Sequence, residues 1–407
     1  MNPPSTTVLI VAPVDPLSPR IGGIQTYVNG FAKFAPPDLG VELVGLTSAA
    51  GSSLPVGRWS SVPIGDKSMR ILPVMSVGDR QARHRVPLTL RFVGAALRRR
   101  AAISTEGRVL QFHRPATLLP FLGSHSPKVQ VIHHDLAQIS SANGENRWSS
   151  VPAAFDWIEE LTAQRVDGVV AVNESTADAF RQRHPASASS IHFIPNWFDD
   201  TIFSAMSGSS RALARQALRD EIRGETGSPV VLFAGRLEPT KNPLLALAAF
   251  QLLLERQPLA HLVVAGTGTL RDALLQEAAE RRIAARVHLL GRRAPEDLAA
   301  LMNGADALLV SSSSETGPTI MLEALACGLP LVGVPVGRIP RVVSSGQSGW
   351  VASESSAPKL ADGLAWAVGA GEQVRMKSVA AAAPYAARTV LEPLYSLHQE
   401  LGARRHR

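Results

Sequence analysis

Short apolar runs alternate along most of this chain with longer segments whose apolar residues recur every three or four positions. Runs of four to six Val, Ile, Leu and Ala residues are typical of buried strands, and the longer spacing is typical of amphipathic helices. The predicted strands are 7–12, 41–46, 109–112, 129–133, 169–172, 191–194, 230–234, 262–265, 287–290, 307–310 and 331–334. This alternation predicts α/β architecture, with parallel sheets that carry helices on both faces.

The helical segments between these runs indicate two doubly wound Rossmann-like domains. They include 155–164, 175–183, 242–255 and 270–281. A loop-like stretch near residues 200–228 separates two series of β and α units. We therefore predict domains at 1–205 and 206–385, facing each other across a cleft, with ligands at the carboxyl ends of the strands. A helical segment follows at 386–407.

Composition fits a soluble two-domain protein. The chain has 407 residues, of which 45% are hydrophobic and 18% are charged. No apolar run approaches the roughly 18 to 20 residues that span a bilayer, and the N-terminus lacks the pattern of a signal peptide. One cysteine, Cys327, cannot form an internal disulfide and fits a reducing compartment. We expect a cytoplasmic protein.

A strand, loop and helix near residue 315 carry the strongest chemical signal. Glu315 lies in the loop, and Glu323, separated from it by seven residues, lies past the first helical turn. Gly328 is placed to end the helix. Loop N–H groups and the positive helix end suit an anion such as a diphosphate, while Glu323 could bind ribose and Glu315 a sugar. The predicted nucleotide-sugar-binding residues here also include Gly317, Pro318 and Thr319; Pro318 suits the first helical turn, where its missing N–H costs nothing.

This pattern resembles the E-x7-E signature of retaining nucleotide-sugar glycosyltransferases of family 4, which have the GT-B fold. Gly317-Pro318 inside the pattern and Glu-Ala-Leu-Ala-Cys-Gly-Leu-Pro at its end make the match specific. The alternative is an amphipathic helix with one solvated Glu. The resemblance implies an acceptor-binding first domain, a donor-binding second domain and a C-terminal helix that crosses back onto the first.

A second element places two cations between a strand and a helix. Arg236 and Lys241 resemble the family's G-R-(x4)-K element, which contacts the donor phosphates. Arginine offers a fork to phosphate oxygens and lysine a point charge. The alternative is two solvated loop cations.

Three further positions match the family more weakly. Gly22 and Gly23 resemble its first-domain glycine loop, where backbone can approach a diphosphate, although a plain turn is the alternative. His134 matches the histidine of its His-Asp pair, which contacts the donor sugar; a buried structural histidine is the alternative. Gly266 and Arg292 follow strands that frame the nucleoside in the family, or are ordinary turns.

The chain also departs from the family pattern. Arg341 stands where a carboxylate is common, and Trp197 is unusual in the linker. The Arg341 departure changes the expected local loop chemistry, but not the phosphate and ribose contacts.

The resemblance implies a retaining, metal-independent transfer of a hexose from a UDP- or GDP-linked donor. The acceptor hydroxyl belongs to a glycolipid, a polysaccharide precursor or a small metabolite. No Asp-x-Asp motif is present to hold a metal, and we expect no separate cofactor. Two alternatives stay open: a GT-B-like sugar-nucleotide epimerase, and a non-catalytic partner subunit.

The formal net charge of +7 allows nucleic acid, an anionic membrane or small anions as partners. No nucleic-acid-binding signature is present, so a nucleotide sugar together with anionic lipid accounts for the charge more simply. Residues 88–100 form an apolar helical stretch that ends in Arg98, Arg99 and Arg100. This stretch could rest on anionic lipid, or it is a core helix with solvated arginines.

Overall fold

The computed structural model divides the chain into two compact units. Met1–Pro195 with Val390–Arg407 form the first, and Asn196–Thr389 form the second. The sequence analysis placed the first boundary at residue 205, ten residues later than the structure does. It placed the second at residue 385, four residues earlier. The residues that the structure describes are 5–18, 23–48, 51, 53–78, 86–133, 160–161, 163–315, 317 and 319–404.

An eight-stranded sheet organises the first unit, in the order β3-β4-β2-β1-β5-β6-β7-β8. Its strands are β1 Thr6–Val11, β2 Leu39–Ser48, β3 Ser60–Ile64, β4 Lys67–Val77, β5 Arg108–Phe112, β6 Lys128–Ile132, β7 Gly168–Ala171 and β8 Ile191–Phe193. All neighbours are parallel except β3 and β4. Strand order reverses at β1, where a doubly wound sheet opens a crevice beyond the carboxyl ends.

The β3–β4 hairpin lies in a stretch where no element was predicted. Its two-residue turn is Gly65-Asp66, and Gly65 has φ +62°. A Gly-Asp turn between paired strands is a recognised hairpin signal, because glycine accepts a positive φ without a steric penalty. The strands themselves carry Pro63, Arg70 and Pro73, which obscure the alternation of apolar and polar positions.

Helices cover both faces of this sheet. They include α1 Gly23–Phe34, α2 Leu88–Arg98 and α3 Glu174–Arg183. Phe92 of α2 packs with Phe112 and Phe121 in a core on one face. On α1, the Gln25 amide donates to Ser18 O (2.9 Å) and so fixes the loop that follows β1.

A six-stranded parallel sheet organises the second unit, in the order β11-β10-β9-β12-β13-β14. Its strands are β9 Val230–Ala234, β10 His261–Ala265, β11 Val287–Gly291, β12 Ala307–Val310, β13 Leu331–Gly333 and β14 Gly349–Val351. Its helices are α4 Gly208–Ile222, α5 Pro243–Leu254, α6 Arg271–Glu280, α7 Pro295–Gly304, α8 Thr319–Ala326, α9 Ile339–Val342, α10 Ala357–Val368 and α11 Glu372–Ala382. The five strands predicted here are all present, whereas β14 was not predicted because its sequence contains no apolar run of four or more residues.

The last helix, α12 Ala387–Ala403, returns to the first unit as predicted. The Tyr395 hydroxyl donates to Phe31 O (2.9 Å), and the Gln399 amide donates to the Asp38 carboxylate (2.8 Å). His398 is fully buried beside Phe31. Together the two sheets and this helix confirm the GT-B architecture. Among the described helices, none combines the length and the apolarity needed to cross a bilayer.

Candidate functional site

Lys241 and Glu315 meet at the carboxyl edge of the second sheet. Lys241 ends the loop after β9, and Glu315 lies in the loop after its neighbour β12. The Lys241 ammonium forms an ion pair with the Glu315 carboxylate, and the two side chains are only 25% and 10% exposed. The Ser312 hydroxyl donates to the same carboxylate (2.7 Å). The structure therefore brings two of the predicted residues into direct contact.

Serines of the β12 loop hold the β9 loop in place. The Ser311 hydroxyl lies within hydrogen-bond distance of Lys241 O (3.0 Å) and Asn242 O (2.9 Å), and Ser313 N donates to Thr240 O (2.9 Å). Asn242 then caps α5, with φ +46° and its side chain accepting from Leu245 N. These bonds fix the backbone on which Lys241 is carried.

A close backbone approach explains Gly266. Gly235 N donates to Ala265 O (3.0 Å), and a Cβ on Gly266 would lie 1.8 Å from Gly235 O. Such a distance excludes every side chain, so glycine is required at this strand end for packing alone. Arg236 follows Gly235 and is exposed at the carboxyl end of β9. The contact of Gly266 with a nucleoside stays a prediction.

Helix α8 carries Glu323 in its second turn. The carboxyl is partly buried, and this burial together with the charge of Asp199 raises its pKa from 4.5 to about 7. Among the described residues no Lys or Arg lowers this pKa, so the carboxyl titrates near neutral pH and, once ionised, is suited to accept hydrogen bonds from a ligand. Thr319 begins α8, so the first free N–H groups of this helix lie on the side of the Glu315 loop.

Two backbone contacts position the loop between Glu315 and α8. The Asn196 amide donates to Gly317 O (3.1 Å). A Cβ on Gly337, which has φ +54°, would lie 2.4 Å from Glu315 O. Asn196 thus contacts the backbone at Gly317, and the backbone at Gly337 lies close to that at Glu315.

The remaining predicted residues lie on other described elements or outside the described residues. Arg292 is exposed after β11, and Gly23 begins α1 with open space where a Cβ would be. The exposed Arg341 lies on α9, and Trp197 is buried. Three predicted residues, Gly22, His134 and Pro318, lie outside the described part of the chain.

A pair of histidines, the buried His113 and the half-buried His133, precedes His134 in the first unit, and the sequence analysis did not predict it. The Gln111 amide lies 2.9 Å from His113 Nε2, and His113 Nδ1 lies 2.7 Å from His133 Nε2. Burial, with the nearby His133 charge, holds the pKa of His113 well below its usual range, so His113 is neutral. The Tyr27 ring packs edge-on against both imidazoles. In the sequence, the polar residues Gln111 and His113 at alternate positions were the available signal for a polar group at the end of this strand.

Two family models match this chain, one for each half. Residues 21–201 match Glycosyltransferase Family 4, and residues 214–382 match Glycosyl transferases group 1. A D-inositol 3-phosphate glycosyltransferase of Rhodococcus opacus (strain B4) is 30% identical over 265 residues, which cover 63% of this chain but only 57% of that relative. One of the same name from Corynebacterium jeikeium (strain K411) is 30% identical over 292 residues, 67% of each chain.

Solved structures of the same fold superpose on almost the whole chain. The sucrose-phosphate synthase of Thermosynechococcus elongatus matches with a TM-score of 0.74 at 16% identity, over 98% of this chain and 100% of that one. Anabaena HepE, in complex with UDP and glucose, matches with a TM-score of 0.67 at 17% identity, over 96% and 98%. At these identities the likeness establishes the fold.

Proposed function

We propose, from the premise that this chain belongs to the family-4 GT-B glycosyltransferases, that it moves a hexose from a UDP- or GDP-linked donor to an acceptor hydroxyl. The observation that carries the proposal is the Lys241–Glu315 ion pair, held at the carboxyl ends of neighbouring parallel strands. Doubly wound sheets bind their ligands at this edge.

Each group of the second unit has a separate task in this proposal. Lys241 and Arg236 stabilise the negative charge that develops on the leaving diphosphate, with the free N–H groups at the start of α8. Glu323 accepts from ribose hydroxyls, and Glu315 accepts from a hydroxyl of the transferred sugar. In the absence of donor, the Glu315 carboxylate neutralises the Lys241 ammonium. When the donor binds, its diphosphate replaces this carboxylate as the partner of Lys241.

The reaction that we propose retains the configuration of the sugar. The acceptor oxygen attacks the anomeric carbon from the side on which the diphosphate leaves. The bond to the leaving phosphate oxygen breaks, and that oxygen takes the proton of the acceptor hydroxyl. No metal enters this scheme, since the cations and the helix end supply the positive charge. His134 contacts the donor sugar in the same proposal.

Similar proteins support this assignment of the substrates. Anabaena HepE has been solved with UDP-glucose, and the relatives from Rhodococcus and Corynebacterium are named for D-inositol 3-phosphate. Among the acceptor classes considered, these names favour a small metabolite as the first acceptor to try.

Turnover assays test the reaction and its freedom from metal. We expect the full chain to release UDP or GDP from one UDP- or GDP-hexose, faster with an acceptor such as D-inositol 3-phosphate, and equally fast in EDTA. An epimerase would convert the sugar without accumulating glycosylated product, and a non-catalytic subunit would bind donor without turnover. Loss of activity in EDTA that Mn²⁺ restores would overturn the metal-free mechanism.

Helix α2 supports a contact of the first unit with anionic membrane, which we propose as a second property. Its inner face is buried in the core, yet Leu90 and Leu97 are 39% and 52% exposed, and Arg98 is exposed beside them. Arg100 does not belong to this surface, because its guanidinium donates to Ile103 O (2.7 Å) and lies over the Phe121 ring. The lipid-facing residues in this proposal are therefore the two leucines and Arg98.

Co-sedimentation with vesicles tests this contact. We expect the full chain to sediment with anionic vesicles at low salt, and much less with neutral vesicles or at high salt. Leu90→Ser with Leu97→Ser should reduce binding, because each buried leucine contributes apolar area. Leu213→Ser, which changes a leucine 70% exposed on α4, is the matched control. If the Leu90→Ser, Leu97→Ser variant sediments as much as the Leu213→Ser control, α2 does not bind lipid.

A further inference from the structure

A cavity of about 290 Å³ lies in the second unit, at the edge of the sheet opposite to the candidate donor site. It adjoins the amino ends of two strands, because Asp306 precedes β12 and Pro330 precedes β13. Three arginines line it: Arg211, Arg215 and Arg375. No part of the proposed transfer reaction uses these residues.

The Asp306 carboxylate in this cavity is already neutralised. It accepts from Arg215 Nη1 (2.6 Å) and from Arg219 Nη2 (3.0 Å), and also from Val230 N (2.8 Å). With two guanidinium groups and a backbone N–H as partners, Asp306 has little capacity left for the other arginines.

Arg211 and Arg375 have no close anion of their own among the described residues. Both approach the Glu372 carboxylate only at 3.5 Å, beyond the roughly 2.7–2.9 Å of a charge-assisted hydrogen bond. The Glu372 side chain is 67% exposed, and Arg211 Nε is buried without a hydrogen-bond partner in the described structure. Arg375, only 7% exposed, donates to Met206 O, a neutral acceptor.

The cluster therefore carries excess positive charge in a partly dry site. Its four guanidinium groups (those of Arg211, Arg215, Arg219 and Arg375) face two carboxylates (those of Asp306 and Glu372), which leaves two positive charges. Burial, followed by the charge of Arg211, lowers the pKa of Arg375 from its usual value. The N-terminus of α11, whose Ncap Gly371 offers no side-chain cap, also borders the cavity. Its free N–H groups add a further positive end.

We propose that this cavity binds a phosphate dianion, as inorganic phosphate or as the phosphate group of a small monoester. Two guanidinium forks and a helix N-terminus supply the donors that three phosphate oxygens require. The volume is close to the lower limit of about 300 Å³ for small-molecule sites, which leaves room for a small organic group. The bound phosphate displaces Glu372, whose carboxylate swings into solvent.

Helix α8 connects this site with Glu323. A Cβ on Gly328, which has φ +73° just after α8, would lie 2.6 Å from Arg375 Cγ. The Arg375 side chain therefore packs against the backbone turn that ends the helix. A phosphate bound to Arg375 would therefore lie next to the turn that ends the helix carrying Glu323, the residue proposed to contact the donor ribose.

Calorimetry on the full chain tests the site, with inorganic phosphate and glucose 6-phosphate as probes and glucose as the uncharged control, at constant ionic strength. We expect Arg211→Gln to weaken phosphate binding about tenfold, since one charge-assisted contact is lost. Glu372→Gln should tighten it about threefold, because the competing carboxylate is gone. Arg281→Gln is the matched control, because Arg281 has similar exposure (32% against 28%) and lies on another surface of this unit.

Two results with these probes support the proposal. Tighter binding of glucose 6-phosphate identifies a monoester site, and equal binding identifies a site for phosphate itself. Unchanged affinity in Arg211→Gln, or an equal loss in Arg281→Gln, would overturn it. Loss of all binding in Lys241→Ala would place the phosphate at the donor site instead. If circular dichroism shows Arg211→Gln unfolded, Glu372→Gln decides, and failure to tighten binding rejects the site.

Discussion

Lys241→Ala should lower turnover by about 10²- to 10³-fold while leaving the affinity for the bare nucleoside within twofold. In the proposed reaction the ammonium stabilises charge that develops on the leaving diphosphate, and removing one such donor from a preorganised site has an effect of this size. A nucleoside carries no phosphate and so makes no contact with Lys241. Steady-state kinetics with the nucleotide sugar and calorimetry with uridine or guanosine measure the two quantities. The exposed Arg236→Ala should act in the same direction.

Loss of the ion pair complicates Lys241→Ala in a way that the structure allows us to control. Glu315, 10% exposed, would keep a buried charge without its cation, and this destabilises the fold. The double variant Lys241→Ala with Glu315→Gln should regain stability but not turnover. Lys359→Ala, which removes an exposed lysine of α10, should change neither. Recovery of turnover in the double variant would show that Lys241 serves only to neutralise Glu315.

Glu323→Gln should weaken nucleotide binding at pH 8 by tenfold or more and, at the same time, stabilise the free protein. A charged acceptor typically contributes about 1.5 to 3 kcal/mol to a hydrogen bond, and the amide loses that charge. The substitution stabilises the free protein because the folded state raises the pKa of Glu323 from 4.5 to about 7. An ionised Glu323 is therefore a cost to folding that glutamine does not carry. We expect Tm at pH 8 to rise by about 2 to 4 °C for each kcal/mol relieved.

The pH dependence provides an internal check on this prediction. Between pH 4.5 and 7 the unfolded chain has released the Glu323 proton, whereas the folded chain has kept it. The stability that the protonated Glu323 gives to the folded unmodified chain is therefore fully present below pH 4.5 and is lost as pH rises through 7. Nucleotide affinity runs the opposite way: it rises from pH 6 to pH 8 in the unmodified chain, because only the carboxylate accepts both ribose hydroxyls fully. In Glu323→Gln the contribution of this carboxyl to both dependences should be absent, whereas the exposed Glu296→Gln should retain it. A nucleotide affinity that is unaffected by Glu323→Gln would remove Glu323 from the ribose site.

The contact between the Lys241 and Glu315 loops could be predicted from the sequence because parallel strands bring distant loops to one edge. Lys241 and Glu315 are 74 residues apart, yet each follows a strongly apolar strand, and β9 and β12 are neighbours. The family pattern supplied the residue types and the fold supplied the proximity. Neither reveals that the two side chains pair directly, because a pairing depends on rotamers and on the Ser312 hydrogen bond.

The arginine cavity illustrates what the sequence could not reveal. Arg211, Arg215 and Arg219 follow helical spacing along α4 and read as a solvated face, but Arg219 is buried against Asp306. Arg375 comes from α11, more than 150 residues later. No local pattern links these positions, because their charge cluster arises from packing between elements at the amino ends of the strands. The His113–His133 pair was also missed, since each histidine alone follows the end of an ordinary strand and only packing between β5 and β6 brings them together.

The C-terminal helix has a consequence for synthesis on the ribosome. The second unit is one continuous segment that is complete once residue 389 has been made, whereas the first unit needs residues 390–407 to finish. The second unit can therefore close its core while the first still lacks Tyr395 and His398, so the nominally N-terminal half is the last to be completed. A premature stop after residue 389 would leave every strand in place, and its defect would appear under Phe31, at the opposite end of the sequence.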